Sequence, residues 1–471
     1  MTFNSTKLYT ILGHFFFAFS ALLAIYFMVE RTTVIDTSYY LCNIINNEGF
    51  FFGIGRIGAF PTQLIPILLA KLGAPITWIG YSYSLSFIAL YWIIFYLCVN
   101  VFKSLESGVT IVLSMFLLSG LTFYHPVTES HQALVWCCLY FALIFGKNKK
   151  INQLKPVFRF GIALVIILFA FFNHPASVFP LLFAPVFKII SDKKYTWSEN
   201  WLLILSVVVI YSLKFVLTDS SGYEGGFFSQ LTQPKLILEL FSNYPAAYLY
   251  KFFYGYYWIP LFLYFIIAIN YINKSEWLKL SFVTATFVGF MVITNIAYAQ
   301  GDSDMMMERN YLPLTVLLGF PFMKDVVLSS KNFQFVKFPL IIFLLLFSTA
   351  RILYKSKSIT ARVNYLTDKM VTKSIEVNSH KLLVDKGEWD ENMVGASWAV
   401  AFETMLLSSY NDSIELTTVY VNQKENAYDF DLNNTTLVLG SHFWPNWNVT
   451  MFNKRYFDFK PEAYKTVSFN K

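Results

Sequence analysis

Read from its first residue, the chain alternates long apolar stretches with short polar ones. The apolar runs fall near 9–29, 76–102, 108–124, 131–146, 159–173, 176–190, 200–218, 254–272, 280–299, 311–323 and 338–354. A helix needs roughly 17–25 apolar residues to cross a bilayer, so the pattern predicts about eleven spanning helices. Several runs are short or interrupted by Pro180, Pro185, Pro260, Pro313 and Pro321, which leaves the count open by about two. The first run, Tyr9 to Val29, has the hydropathy of a signal peptide. No small-x-small cleavage pattern follows and Glu30-Arg31 comes next, so it reads as an uncleaved first helix.

After Tyr354 the pattern changes. An opening helix is suggested by Tyr365, Leu366, Met370 and Ile375, and apolar runs follow at Leu382–Val384, Ile414–Val421 and Thr435–Leu439. A helix-like stretch from Met393 to Leu407 separates the first two runs. Alternating helix and strand signals predict a small α/β domain over 355–471. The expected architecture is therefore a helical membrane domain, 1–354, followed by that domain. The Lys-Ser-Lys-Ser run at 355–358 is the sole linker-like stretch, and the spans show no internal repeat.

Composition sharpens this picture. The 471 residues are 56% hydrophobic and only 14% charged, whereas soluble domains carry about a quarter charged residues. A cytosolic enzyme, a disordered chain and a secreted disulfide scaffold are excluded. Cys98, Cys137 and Cys138 lie inside apolar runs and Cys42 stands alone, with no metal-type spacing. The formal +7 charge belongs to the apolar part, because the 14 basic and 14 acidic residues from Arg351 onward cancel. No basic patch of a nucleic-acid-binding kind is present.

Loop charge sets the expected orientation. With the N-terminus inside, the inner loops carry 15 basic residues (Lys7, Lys103, Lys147 and others through Lys194, Lys331 and Lys337). The opposite loops carry 6: Arg31, Arg56, Lys71, Lys235, Lys251 and Arg309. Basic residues favour the cytoplasmic side, so the N-terminus is expected inside. An odd number of spans then puts the C-terminal domain outside, with a bacterial inner membrane as the expected home.

On this map most of the chemistry-bearing residues share the outer side. The first outer loop holds Asp36, Arg56 and Gln63, and the second reads Tyr124-His125-Pro126-Val127-Thr128-Glu129-Ser130-His131. The third holds His174, the fourth Asp219, Glu224 and Glu239, and the fifth runs from Gly301 to Arg309. A carboxylate can take a proton from an acceptor hydroxyl, and cationic groups or a metal can stabilise a leaving phosphate. Such a set suits chemistry on a phosphate-linked lipid. The bland alternative is loop solvation, which suffices for the fourth-loop acids.

Asp36 could equally cap the helix that follows it. His125, Glu129 and His131 fall within seven residues, a spacing that admits a divalent cation without matching a His-Glu-x-x-His helix. His174 could join them. Arg309 can grip phosphate bidentately, or serve as an interface anchor paired with Glu308.

The plan of a long first outer loop with an early acidic residue, many spans and an outer C-terminal domain resembles the GT-C superfamily of membrane glycosyltransferases. These include protein O-mannosyltransferases and the lipid A aminoarabinose transferase. Asp36 stands where that family keeps its first-loop carboxylate. Arg309 to Pro313 is similar to an Arg-Tyr-x-x-Pro segment, with Asn310 inserted. Asp36-Thr37 replaces the Asp-Glu pair of the O-mannosyltransferases, and no Trp-Trp-Asp-Tyr-Gly motif is present.

The resemblance implies a polyprenyl-phosphate-sugar donor, transfer with inversion, and a glycan, lipid or protein acceptor outside. It makes Asp36 the base and gives the lipid phosphate to Arg309 and Arg56. His125, Glu129, His131 and His174 would shape the site or hold a divalent cation. Competing readings are a ligase or polymerase of lipid-linked polysaccharide, a transporter or flippase, and a non-catalytic scaffold. Transporters keep ionisable groups at mid-membrane, whereas these spans are nearly free of charge, with Lys214 towards the outer end of its helix.

Overall fold

The computed structural model describes residues 5–193, 199–217, 255–297, 303–329, 334–385, 387–422, 431–440 and 446–470. Asp219, Glu224, Glu239, Gly301 and Asp302, with Lys194, Lys235, Lys251 and Lys331, lie outside the described residues. The chain is mainly helical, with a small sheet region near its C-terminus.

In chain order the helices begin with α1 (Ser5–Tyr26), α2 (Met28–Thr33), α3 (Asp36–Asn47), α4 (Leu64–Lys71), α5 (Ile76–Tyr96) and α6 (Leu105–Phe116). They continue with α7 (Glu129–Phe145), α8 (Lys149–Asn152), α9 (Pro156–Phe171), α10 (Val178–Asp192), α11 (Glu199–Leu217) and α12 (Ile259–Asn273). The last ones are α13 (Trp277–Ala297), α14 (Asp304–Tyr311), α15 (Pro313–Pro321), α16 (Gln334–Val377), α17 (Glu391–Val394) and α18 (Val400–Ser409).

Each of the eleven apolar runs falls on a helix. Among the described residues, five segments are long and apolar enough to cross a bilayer: Thr6–Tyr26, Ile76–Val101, Pro175–Asp192, Trp277–Ala297 and Phe335–Val377. Phe15, Leu22, Val165, Leu168, Val208, Leu213, Phe265, Ile269, Phe343 and Leu346 point outward from these and neighbouring helices. Water would not tolerate so continuous an apolar surface; hydrocarbon does.

Two helices depart from the expected pattern. The run at 108–124 is α-helical only to Phe116, and residues 117–128 form a largely buried, irregular segment with one 3-10 turn at Leu121–Tyr124. The last span and the opening helix of the C-terminal domain are one continuous helix, α16, of 44 residues. At 1.5 Å per residue it is about 66 Å long, so the 354/355 boundary lies mid-helix and the Lys-Ser-Lys-Ser run links nothing. Its first half is mainly apolar, with Ser348, Thr349 and Arg351 buried on its inner side. Its second half turns Val363, Leu366 and Met370 into the core of the α/β domain.

That domain is built on a parallel sheet of order β2-β1-β5, with β1 (Lys381–Asp385), β2 (Thr418–Asn422) and β5 (Lys465–Val467). Lys381 pairs with Thr418 and Asp385 with Asn422, while Leu382 faces Lys465 across the other edge. Parallel neighbours need a crossover, and α17 with α18 supplies the one between β1 and β2. A short antiparallel pair, β3 (Leu437–Leu439) with β4 (Asn446–Asn448), completes the domain.

Candidate functional site

The site begins with a break in the chain after α1. Ile35 takes φ 47° and ψ −124°, a region suited to glycine and costing a β-branched residue roughly 1–3 kcal/mol. This turn starts α3, so Asp36 is its first residue and Ile35 occupies the N-cap position. Asp36 makes no capping bond. Its carboxylate lies 3.4 Å from His125 Nε2 and 3.8 Å from Arg309 Nη1.

His125 is carried by the irregular segment 117–128. Irregular backbone inside an apolar body survives only where protein groups satisfy it, and three buried charged residues do so here. Glu308 accepts the N–H groups of Gly120 (2.8 Å), Leu121 (3.0 Å) and Thr122 (2.8 Å), and also the hydroxyls of Thr122 and Tyr257. Arg351 donates to the carbonyls of Ser119, Phe116 and Tyr256. Arg31 donates to the Phe123 carbonyl and to Ser84, and stacks over the Phe123 ring at 4.4 Å. Glu308 is thus a structural strut and is not the partner of its neighbour Arg309.

Arg309, one residue on in α14, turns the other way. Its guanidinium bridges two carboxylates, donating to Glu129 Oε2 at 3.1 Å and approaching Asp36. The Tyr40 hydroxyl donates to Glu129 Oε1 at 3.3 Å. Asp36, Glu129, His125 and Arg309 therefore converge from α3, α7, the irregular segment and α14. Asp36 is the open member: its side chain is 27% exposed, against 2% for His125 and 6% for Glu129.

The protonation of His125 follows from its bonds. The Thr128 hydroxyl donates its one proton to the His125 carbonyl (2.7 Å), so it can only accept from Nδ1 (3.1 Å). In a neutral ring Nε2 then carries a lone pair, aimed at the Asp36 carboxylate. Burial pushes the imidazole below its ordinary 6.5; Asp36 acts upward, Arg309 downward and Glu129 upward. Two acceptors face each other across 3.4 Å, an arrangement that can hold one added proton. A proton taken up by Asp36 has a second resting place on His125.

A cationic pole adjoins this acidic one. The loop at Arg56–Gly58 lies against the α9 terminus: Gly58 N–H donates to the Phe172 carbonyl, and a Cβ on Gly58 would sit 2.4 Å from Asn173 Nδ2. His174 Nδ1 accepts the Ala176 N–H at 3.1 Å, placing its own proton on Nε2. Burial holds His174 well below 6.5, reinforced by the positive charges of Arg56, Arg309 and Lys214. A neutral N–H donor within the field of three cations is suited to an anion. Lys214, expected only as a charge towards the outer end of its helix, has no site role in the sequence. It is the lone charged residue within its apolar run, which is itself a sign of function.

His131 is not part of the group. It sits on the first turn of α7, two residues past Glu129, and that step turns it to another face. It bonds Ser119 Oγ at 3.2 Å beside a cavity of about 20 Å³ lined also by Arg31, Phe123 and Pro126. Gln63 is likewise structural, bonding both the N–H and the carbonyl of Phe51. Among the described residues no three His, Cys, Asp or Glu side chains come together as a metal site. His125, Glu129 and His174, considered above with His131 as cation ligands, face Asp36, Arg309 and a cationic pole respectively.

Comparison with known protein families, with curated proteins and with solved structures finds no match.

Proposed function

We propose that this chain is a membrane glycosyltransferase of the GT-C kind, moving a sugar from a polyprenyl-phosphate donor to a glycan, lipid or protein acceptor. In this reading the N-terminus is cytoplasmic, about eleven helices cross a bacterial inner membrane, and the α/β domain lies outside. The observation that carries it is the convergence of Asp36, His125, Glu129 and Arg309 next to the Arg56–His174–Lys214 pole. A base and an anion-binding pole side by side suit a displacement at a sugar–phosphate carbon.

The residues divide the reaction between them. Asp36, the exposed carboxylate, takes the proton of the acceptor hydroxyl, whose oxygen attacks the anomeric carbon. The bond from that carbon to the phosphate oxygen breaks, and the electron pair leaves with the lipid phosphate. Arg56, Lys214 and the His174 Nε2–H stabilise the charge developing there. Glu129 fixes the Arg309 fork, and His125 receives the spent proton from Asp36. A flippase would need the ionisable group to lie on a through-path, and no feature of this group favours that.

The test is sugar transfer in proteoliposomes supplied with radiolabelled polyprenyl-phosphate hexoses and pentoses and a membrane-fraction acceptor. Asp36→Asn, in protein that elutes and melts as the parent does, is expected to lower transfer about 100-fold or more. Transfer by that variant at the parent rate overturns the assignment of the base. A tag after Lys471 that is protected from outside labelling in intact cells overturns the sidedness.

A further inference from the structure

We propose that the C-terminal domain is a working part of the site, and that Glu403, held by Arg362, is the positioning residue for Asp36. The inference rests on the transferase reading for its activity arm only. The geometry begins one residue before Asp36: the Ile35 N–H donates to Glu403 Oε1 at 2.6 Å. Glu403 lies on α18, is 1% exposed, and is gripped by Arg362 of α16 through Nε (3.2 Å) and Nη2 (2.8 Å). Arg362 also donates to the Met393 and Ala396 carbonyls.

The contact is not an isolated touch. Val34 is 3% exposed and belongs to the hydrophobic core of the α/β domain, with Leu366, Leu382, Val400 and Val419. The Tyr410 hydroxyl donates to Thr32 at 2.9 Å, and Tyr39 packs edge-on against Phe402 at 4.9 Å. The segment that delivers Asp36 is thus clasped on both sides by α18 and its neighbours. Ile35 adopts a backbone conformation that an isolated chain would leave. Its N–H on a buried carboxylate, beside a core-inserted Val34, explains why it stays.

That turn decides where α3 starts and therefore where the Asp36 carboxylate points. Released, Ile35 would relax toward negative φ and rotate the first turn of α3 away from His125 and Arg309. Angular and sub-ångström placement of a base is worth large factors in rate. Glu403 does not meet the substrate; it acts through the Ile35 peptide.

Two double variants separate the hydrogen bond from the fold. Arg362→Met with Glu403→Gln removes both charges but leaves an oxygen for the Ile35 N–H. Arg362→Met with Glu403→Met removes that oxygen too. Removing a buried ion pair as a unit is commonly tolerated, so both are expected to fold; the Gln double should melt near the parent, and the Met double, which orphans the Ile35 N–H, should lose about 1–3 kcal/mol.

The first readout needs no turnover: the rate of carbodiimide labelling of Asp36 at one fixed pH, followed by peptide mass spectrometry. The Gln double is expected to label at the parent rate, and the Met double faster, as the Asp36 carboxylate leaves His125 and Arg309 and becomes more accessible. The second is transfer, where the Met double is expected to lose about 10- to 100-fold in kcat with the donor KM little changed, and the Gln double to recover it. If the Met double does not fold, Glu403→Asp serves. It keeps a charge opposite Arg362 but draws the carboxylate back by one methylene, and is expected to shift the labelling in the same direction. Identical Asp36 labelling in acceptor-bearing and acceptor-lacking variants overturns the proposal. Absence of transfer by the parent protein would overturn the transferase reading alone and leave the labelling to decide this one.

Discussion

Glu308 and Arg309 are adjacent in the chain but have unlike work, and a pair of substitutions separates them. Glu308→Gln changes one oxygen of a fully buried carboxylate to an amide nitrogen. Oε2 accepts three donors, the N–H groups of Gly120 and Thr122 and the Thr122 hydroxyl, so the amide is least harmful at Oε1. There it faces the Tyr257 hydroxyl, which can rotate to accept, and the Leu121 N–H, which cannot. One orphaned buried N–H costs about 1–3 kcal/mol. The surviving bonds lose their charge assistance, and Arg351 loses the carboxylate that offsets its burial.

Together these put the loss near 3–5 kcal/mol, the range for breaking a buried charge pair. One kcal/mol moves the melting temperature by roughly 2–4 °C in domains of 150–250 residues and by less in longer chains. A fall of roughly 5–10 °C in apparent Tm of the detergent-purified protein is therefore expected. Arg309→Lys keeps the charge between Asp36 and Glu129 but not the fork. It should melt with the parent and lower sugar transfer at least about tenfold, because the fork that sets Asp36 against Glu129 is lost. Glu308→Gln melting with the parent would refute the strut, and Arg309→Lys as the unstable variant would reverse the roles.

Gly58→Ala places a methyl 2.4 Å from Asn173 Nδ2 and 2.7 Å from the Phe169 carbonyl; the Arg56 loop must lift from the α9 terminus at a cost of about 1–3 kcal/mol, and titration with an undecaprenyl-phosphate probe should show weakened binding. His174 is held neutral in the folded chain, so between its folded value and 6.5 the unfolded chain binds the extra proton. Stability should therefore fall as pH drops below about 6.5, by up to about 1.4 kcal/mol per unit, and His174→Gln should fall less steeply in parallel melts; equal slopes would contradict the burial of a neutral ring. Leu366→Ala, in the core shared by α16 and the sheet, should cost about 2–5 kcal/mol and also shift carbodiimide labelling of Asp36, since Val34 packs in that core.

Local pattern carries the elements well because it reports local physics. Apolar length and the 3.6-residue period locate the helices at all eleven runs, and the switch to short runs after Tyr354 locates the sheet. The two departures share a cause. The helical period cannot report that the 108–124 run stops at Phe116, because the partners that satisfy its backbone, Glu308 and Arg351, lie far along the chain. Nor does the Lys-Ser-Lys-Ser run reveal that it continues a helix, since nothing in its composition opposes one.

The candidate residues show the same divide. Asp36, His125, Glu129, Arg56, His174 and Arg309 could be picked out as polar groups next to apolar runs. His131 passed the same filter and faces elsewhere, because its direction is set by the turn of α7. Tyr40 and Thr128 became visible through their contacts, Lys214 gained its place through the charge it sets near His174, and Glu308 changed from the expected partner of Arg309 to a strut.

By itself the sequence determined that this is a membrane-embedded helical chain with a small α/β appendage, because hydropathy and periodicity are properties of neighbours in the chain. Only the tertiary structure decided which charges meet and which merely hold the backbone, and that the appendage grips the peptide before Asp36. Those pairings close loops of up to several hundred residues, and nothing in a local window encodes the direction in which a side chain will find its partner.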